Sequence, residues 1–175
     1  AMRYFKILDF NSYANNTRTE TPALLKGLLY GEDGAAFSPT HTRKGDRLYR
    51  YYVSQTVLKH GAGKWPVARV PAAEIEAAVI EQIRGMLRAP EVVVASWRAA
   101  QPECEGLQED EIREALAALD PLWAELFPAE QARIIQLLVR RVRVTAAGLE
   151  VDIRREGIAG VIREMVAPRR MEAAV

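Results

Sequence analysis

A block of helix-forming sequence at 71–142 stands between two groups of short, period-two segments, and this order restricts the folds open to the 175-residue chain. Within the block, Ile75, Val79, Ile83, Met86 and Leu87 share one stripe, so 71–87 reads as an amphipathic helix, with Pro71 suited to its first turn. Pro90 opens a shorter helix through Val93, Val94 and Trp97, ending near Pro102. Ile112, Leu116 and Leu119 mark a third, restarted at Asp120 and Pro121 to cover 122–127. Pro128 opens another, with Ile135, Leu138, Val139 and Val142 on its apolar side. Strands and helices segregated in this way predict an α+β fold rather than a parallel α/β sheet.

The strands before the block are shorter. Residues 11–22 are polar and read as a linker. The run LLKGLLY at 24–30, a turn at Gly31–Gly34 and a return over 35–39 predict a tight hairpin. A second turn over 42–46, with Gly45 free to take positive φ, leads into the clearest strand, 48–54. Alternation there puts Arg47, Tyr49, Tyr51 and Val53 on one side and Leu48, Arg50 and Tyr52 on the other. GAGKWP at 61–66 breaks the pattern. Beyond the helices, 143–145 and 149–154 alternate around a turn at Ala147 and Gly148, and 158–165 reads as a short closing helix. The expectation is a small antiparallel β-ribbon at 24–54 completed by a hairpin at 142–155, with a helical subdomain inserted at 71–142. In domain terms, 1–22 would be a lead-in or the end of a preceding domain, 23–70 with 142–166 the ribbon, and 71–141 the helical insertion. Ala1 and Met2 read as a remnant followed by a start.

Charge is distributed unevenly. The net charge is +1, yet His41 to Arg69 holds seven Lys or Arg against one Asp, whereas 101–131 holds nine acidic residues against one Arg. Sequence from Arg133 onward is again rich in Arg. A basic, tyrosine-interleaved segment is what a phosphate-facing surface needs, and the acidic stretch implies that only some faces meet a polyanion. The rival reading is a solvated edge hairpin whose cations block strand pairing. No run of 18 apolar residues exists and the first residues lack a secretory pattern, so a cytoplasmic location without membrane contact is expected.

Catalytic constellations are missing from the sequence. His41 and His60 have no metal-pair spacing, and a single cysteine, Cys104, in an acidic neighbourhood suggests neither zinc, disulfide nor an activated thiolate. Ser38, Ser54 and Ser96 lack a nucleophile-elbow context, and no phosphate-binding glycine loop is present. No cofactor is expected. Trp65, Trp97 and Trp123 read as packing residues, and the helix stripes as core.

Three stretches together, LLKGLLY at 24–30, SPTHTRKGDRLYRYYVS at 38–54 and RVPAAEIE at 69–76, resemble the C-terminal region of large serine recombinases, the DNA-invertase-like site-specific recombinases. In that family a leucine-rich strand leads into a zinc β-ribbon, and a coiled-coil arm is inserted within the ribbon domain. The resemblance extends over most of 17–160 and includes LFPAEQARIIQLLV at 126–139. Two departures stand out. Gly31–Gly34 and Val53-Ser54 occupy places where family members carry zinc-binding cysteines, so a zinc-free ribbon is expected. The family's nucleophilic serine belongs to an N-terminal resolvase-type domain that this sequence does not contain. The resemblance implies a non-catalytic module for integration, excision or inversion. Its partners would be double-stranded DNA, through Arg43, Lys44, Arg47 and Arg50 with Lys59, Lys64 and Arg69, and other recombinase subunits, through the helical insertion. The alternative is an oligomerisation module with no DNA affinity of its own.

Overall fold

The structure is a computed structural model that describes residues 23–61, 63, 66–102, 106, 108–154, 157–158 and 160–161. Lys64, Trp65, Cys104 and most of the expected closing helix lie outside the described residues. The elements run β1 (Leu29–Gly31), β2 (Phe37–Lys44), β3 (Arg47–Ser54), α1 (Gln55–His60), β4 (Arg69–Pro71), α2 (Ala72–Leu87), α3 (Pro90–Ala100), α4 (Glu109–Trp123), α5 (Pro128–Leu138), β5 (Val139–Thr145) and β6 (Gly148–Ile153). The fold is α+β.

Strands β2, β3 and β4 form an antiparallel sheet in that order. Lys44 pairs with Arg47 across Gly45 and Asp46, and Gly45 adopts a φ of 59° that a residue with a Cβ resists. The second sheet has the order β1-β5-β6. Here β5 and β6 form the expected hairpin, but β5 joins β1 in parallel, with Leu29 opposite Val142 and Gly31 opposite Val144. Among the described residues, one antiparallel bridge, Tyr30 to Ala36, connects the sheets. The ribbon is therefore completed by a parallel pair, which the long helical insertion between β4 and β5 makes possible.

Several boundaries differ from the sequence reading, each for a local reason. Residues 24–28 form turns, not strand: Lys26 N–H bonds to Ala23 O and Leu28 N–H to Leu25 O. Strand β2 continues through Arg43 and Lys44, which reduces the second turn to Gly45 and Asp46. Pro71 is extended (ψ 131°) and pairs with Tyr51 as the last residue of β4, so α2 starts at Ala72. Helix α4 runs through Pro121 to Trp123; the proline stands in its last turn, where little helix remains to be disrupted. Helix α5 stops at Leu138 because Val139 turns extended, and the VRRVRVT run that follows favours strand. Strand β4 and helix α1 were not anticipated.

One apolar core joins the sheets to the helices. Leu29, Phe37, Tyr52, Val70, Val142, Val144 and Leu149 supply the sheet side, with Ile75 and Val79 of α2 among the helical residues. Further along α2, Ile83 and Leu87 belong to the same core as Val93, Ile112, Leu116 and Leu119 of α3 and α4. Asp120 of α4 accepts from both Arg84 and Arg88, the latter at 3.2 Å, fastening the far end of α2. The Arg84 hydrogen bond holds the Asp120 carboxyl below its ordinary range.

Candidate nucleic-acid interface

Directly opposed residues of an antiparallel pair share a face. The register therefore assigns Ser38, Thr40, Thr42, Lys44, Arg47, Tyr49, Tyr51, Val53 and Arg69 to one side of the first sheet. Phe37, Arg50, Tyr52, Ser54 and Val70 occupy the other, where Phe37, Tyr52 and Val70 are buried. Alternation in β3 thus falls as the sequence suggested, with the Arg47–Tyr49–Tyr51 side facing out. The Arg69 guanidinium lies over the Tyr51 ring, 5.1 Å from its centroid. Such an arrangement holds the cation in place while leaving its N–H edge available. Residues 41–47 are exposed, so the hairpin tip stands clear of the core.

The seven cations singled out from the sequence do not form one cluster. Lys44, Arg47 and Arg69 share the outward face. Arg43 has inward parity, opposite Leu48, but stands at the exposed tip. Lys59 is exposed in the last turn of α1. Lys64 is outside the described residues. Arg50 points inward and pairs with Glu76 of α2 at 3.3 Å.

Glu76 is the residue the sequence reading passed over. Its Oε1 accepts from the Tyr52 hydroxyl at 2.6 Å and from Leu24 N–H at 3.1 Å, while Oε2 faces Arg50. The Tyr52 oxygen in turn accepts from Leu25 N–H at 3.0 Å. Glu76 is 5% exposed and Tyr52 fully buried. Desolvation pushes the Glu76 carboxyl above its ordinary range, opposed by the Tyr52 and Arg50 interactions and the Leu24 hydrogen bond. Burial, reinforced by the neighbouring carboxylate, raises the Tyr52 hydroxyl. Every oxygen in this group has a partner, so it works as a structural knot. It draws together Leu24 and Leu25, Arg50 and Tyr52, and Glu76, one contribution from each of the three stretches quoted above.

Residues 24–84 match the family model of the recombinase zinc beta ribbon domain. The chain resembles the C-terminal region of large serine recombinases. Two solved structures are similar to it. One is described as a crystal structure of an LSR–DNA complex, with 13% identity, a TM-score of 0.48, and coverage of 79% of this chain and 58% of that one. The other concerns sequence requirements of the Listeria innocua prophage attP site, with 15% identity, a TM-score of 0.44, and coverage of 77% and 44%. The chain thus spans little more than half of the first and less than half of the second. No curated protein matches it.

A zinc ribbon implies a metal, and the residues present do not fit one. In the first turn, Asp33 Oδ1 accepts from Ala35 N–H at 3.0 Å and Oδ2 from the Thr56 hydroxyl at 3.1 Å. Ser54 caps α1 by accepting from Thr56 N–H at 3.2 Å, and Gln55 Nε2 donates to Ser38 Oγ at 3.3 Å. A Cβ on Gly31 would come within 2.7 Å of Asp33 Oδ1. This place therefore offers hydroxyls, an amide and one carboxylate already committed to donors, rather than thiolates or imidazoles. Among the described residues, no three His, Cys, Asp or Glu side chains group as metal ligands. Hydrogen bonds from the turn to α1 join what a metal would otherwise join.

Proposed function

We propose that this chain is the DNA-binding and assembly module of a serine site-specific recombinase serving integration, excision or inversion. It meets the phosphate backbone of double-stranded DNA through the outward face of β2, β3 and β4. The supporting observation is the shared face of Lys44, Arg47 and Arg69, interleaved with Tyr49, Tyr51 and two threonines. Long cations reach phosphate oxygens, and the hydroxyls donate to phosphate or sugar. Arg43 adds charge at the tip and Lys59 in the last turn of α1, with Lys64 in the sequence between α1 and β4. Arg50 contributes by holding Glu76, which fixes the strand that carries the face. The helical insertion at 71–141 serves as the arm that meets other recombinase subunits.

The test is the salt dependence of DNA affinity. Each lost phosphate contact lowers the slope of log K against log[salt] by about 0.9. Lys44→Ala with Arg47→Ala should therefore give a slope shallower by about 2. An unchanged affinity and slope would refute the assignment.

A second reading draws on the α4–α5 corner, where Phe127 is 74% and Leu122 38% exposed. Apolar side chains this open favour an oligomerisation module. A stable oligomer in sedimentation, with no DNA shift at low salt, would select it over DNA binding.

A further inference from the structure

We infer that the DNA-contacting surface continues across the second sheet, where Arg140 and Arg141 of β5 form another phosphate-binding patch. This inference rests on the DNA-binding reading above. Tyr30 and Ala36 are directly opposed, so they share a side, and Ala36 has the parity of Ser38, Thr40 and Lys44. Tyr30 is also opposite Arg143 in the parallel pair with β5. Arg141, two residues before Arg143, takes the same side, and its guanidinium lies 4.5 Å from the Tyr30 ring centroid. The Arg69–Tyr51 arrangement is thereby repeated on the other sheet, facing the same way.

The charges around β5 decide which arginines are available. Arg143 forms an ion pair with Glu150 of β6 at 2.7 Å, and Asp152 stands opposite Arg141 in the register. Arg141 and Arg140 are exposed, with Arg140 at the irregular step between Val139 and Arg141. Apolar Leu29, Val142, Val144 and Leu149 fill the reverse side of this sheet, so β5 cannot turn its cations elsewhere. The two Arg–Tyr pairs are separated by three to four strand spacings, about 15–20 Å at ~4.8 Å each. That span is enough to reach both phosphate backbones bordering the major groove, which is about 12 Å wide. Double-stranded DNA thus fits both patches at once.

The experiment compares two double variants of the whole chain on one duplex over a salt series. Arg140→Ala with Arg141→Ala should make the salt slope shallower by about 2, as should Lys44→Ala with Arg47→Ala, and the quadruple variant by about 4. Arg141→Lys, which keeps the charge, should retain most of the slope and controls for damage to the sheet. If the ribbon variant loses slope while the β5 variant does not, the second patch is refuted and the DNA-binding reading stands. If neither variant changes the slope, that reading falls as well.

Discussion

Removing the Glu76 carboxylate tests the proposition that the knot, more than the apolar core alone, fixes the ribbon on α2. In Glu76→Ala the Tyr52 hydroxyl and Leu24 N–H lose their acceptor in a site where Tyr52 is 0% and Leu24 5% exposed. A buried donor left without a partner costs about 1–3 kcal/mol, so the pair sets a range of about 2–6 kcal/mol. Two effects act against the upper end. The Arg50 side chain is 20% exposed and regains water when its partner is gone, and the variant no longer desolvates a carboxylate, whose burial is unfavourable enough to raise its pKa. The expected loss is therefore about 2–4 kcal/mol.

Urea unfolding followed by far-UV circular dichroism provides the measure. With a slope of about 2 kcal/mol/M, the midpoint should fall by about 1–2 M at unchanged slope. Glu76→Gln keeps an oxygen to accept from Tyr52 and Leu24 but turns its amide N–H toward the part-exposed Arg50, so its loss should be smaller than that of Glu76→Ala, about 1–2 kcal/mol. Combining Glu76→Ala with Tyr52→Phe gives a double-mutant cycle in which the two changes should fall short of additivity by about 1 kcal/mol or more. A Glu76→Ala loss within about 0.5 kcal/mol of zero, or strict additivity in the cycle, would refute the reasoning.

Two further outcomes follow from the same geometry. The Glu76 carboxyl titrates above its ordinary value in the folded chain, so the native state holds a proton that the unfolded chain has released. This contribution to stability is complete below the ordinary carboxylate value and is lost as pH rises through the raised one. Unfolding free energy should therefore decline over that interval in the wild type and less so in Glu76→Gln, as urea titrations between about pH 4 and 7 would detect. The first turn should be indifferent to chelators: EDTA should leave the melting temperature unchanged, whereas Asp33→Ala, which loses the bonds from Ala35 N–H and the Thr56 hydroxyl, should cost about 1 kcal/mol.

Period-two alternation in β3 revealed its faces from the sequence, because Tyr52 and Tyr51 must point opposite ways wherever the strand is placed. The α2 stripe was equally legible, since Ile75, Val79, Ile83 and Leu87 recur at helical spacing and are all buried. Long-range pairing was not. Nothing local says that β5 will lie parallel to β1, or that VRRVRVT leaves helix at Val139, because both depend on the partner strand that burial selects. The three residues of β4 were too short to register, yet their pairing with β3 brings Arg69 onto Tyr51. Arg50 shows the limit of charge counting. It belongs to the same basic run as Arg47, but alternation turns it toward a carboxylate that is 26 residues away.

Strand β3 also separates what holds the turns from what holds the sheet on α2. At the end of the hairpins, Asp33 accepts from the Thr56 hydroxyl and Ser54 caps α1, bonding the first turn to that helix. The knot acts at mid-strand, where Tyr52 and Arg50 bind Glu76 and bring α2 beneath the sheet. Because successive side chains alternate, anchoring Tyr52 inward also directs Tyr51 and Tyr49 outward, and the register with β2 and β4 then places Lys44 and Arg69 beside them. A one-residue slip would bury this cationic face and expose the knot. The orientation of the proposed DNA surface is thus set by a buried carboxylate on the opposite side of the sheet.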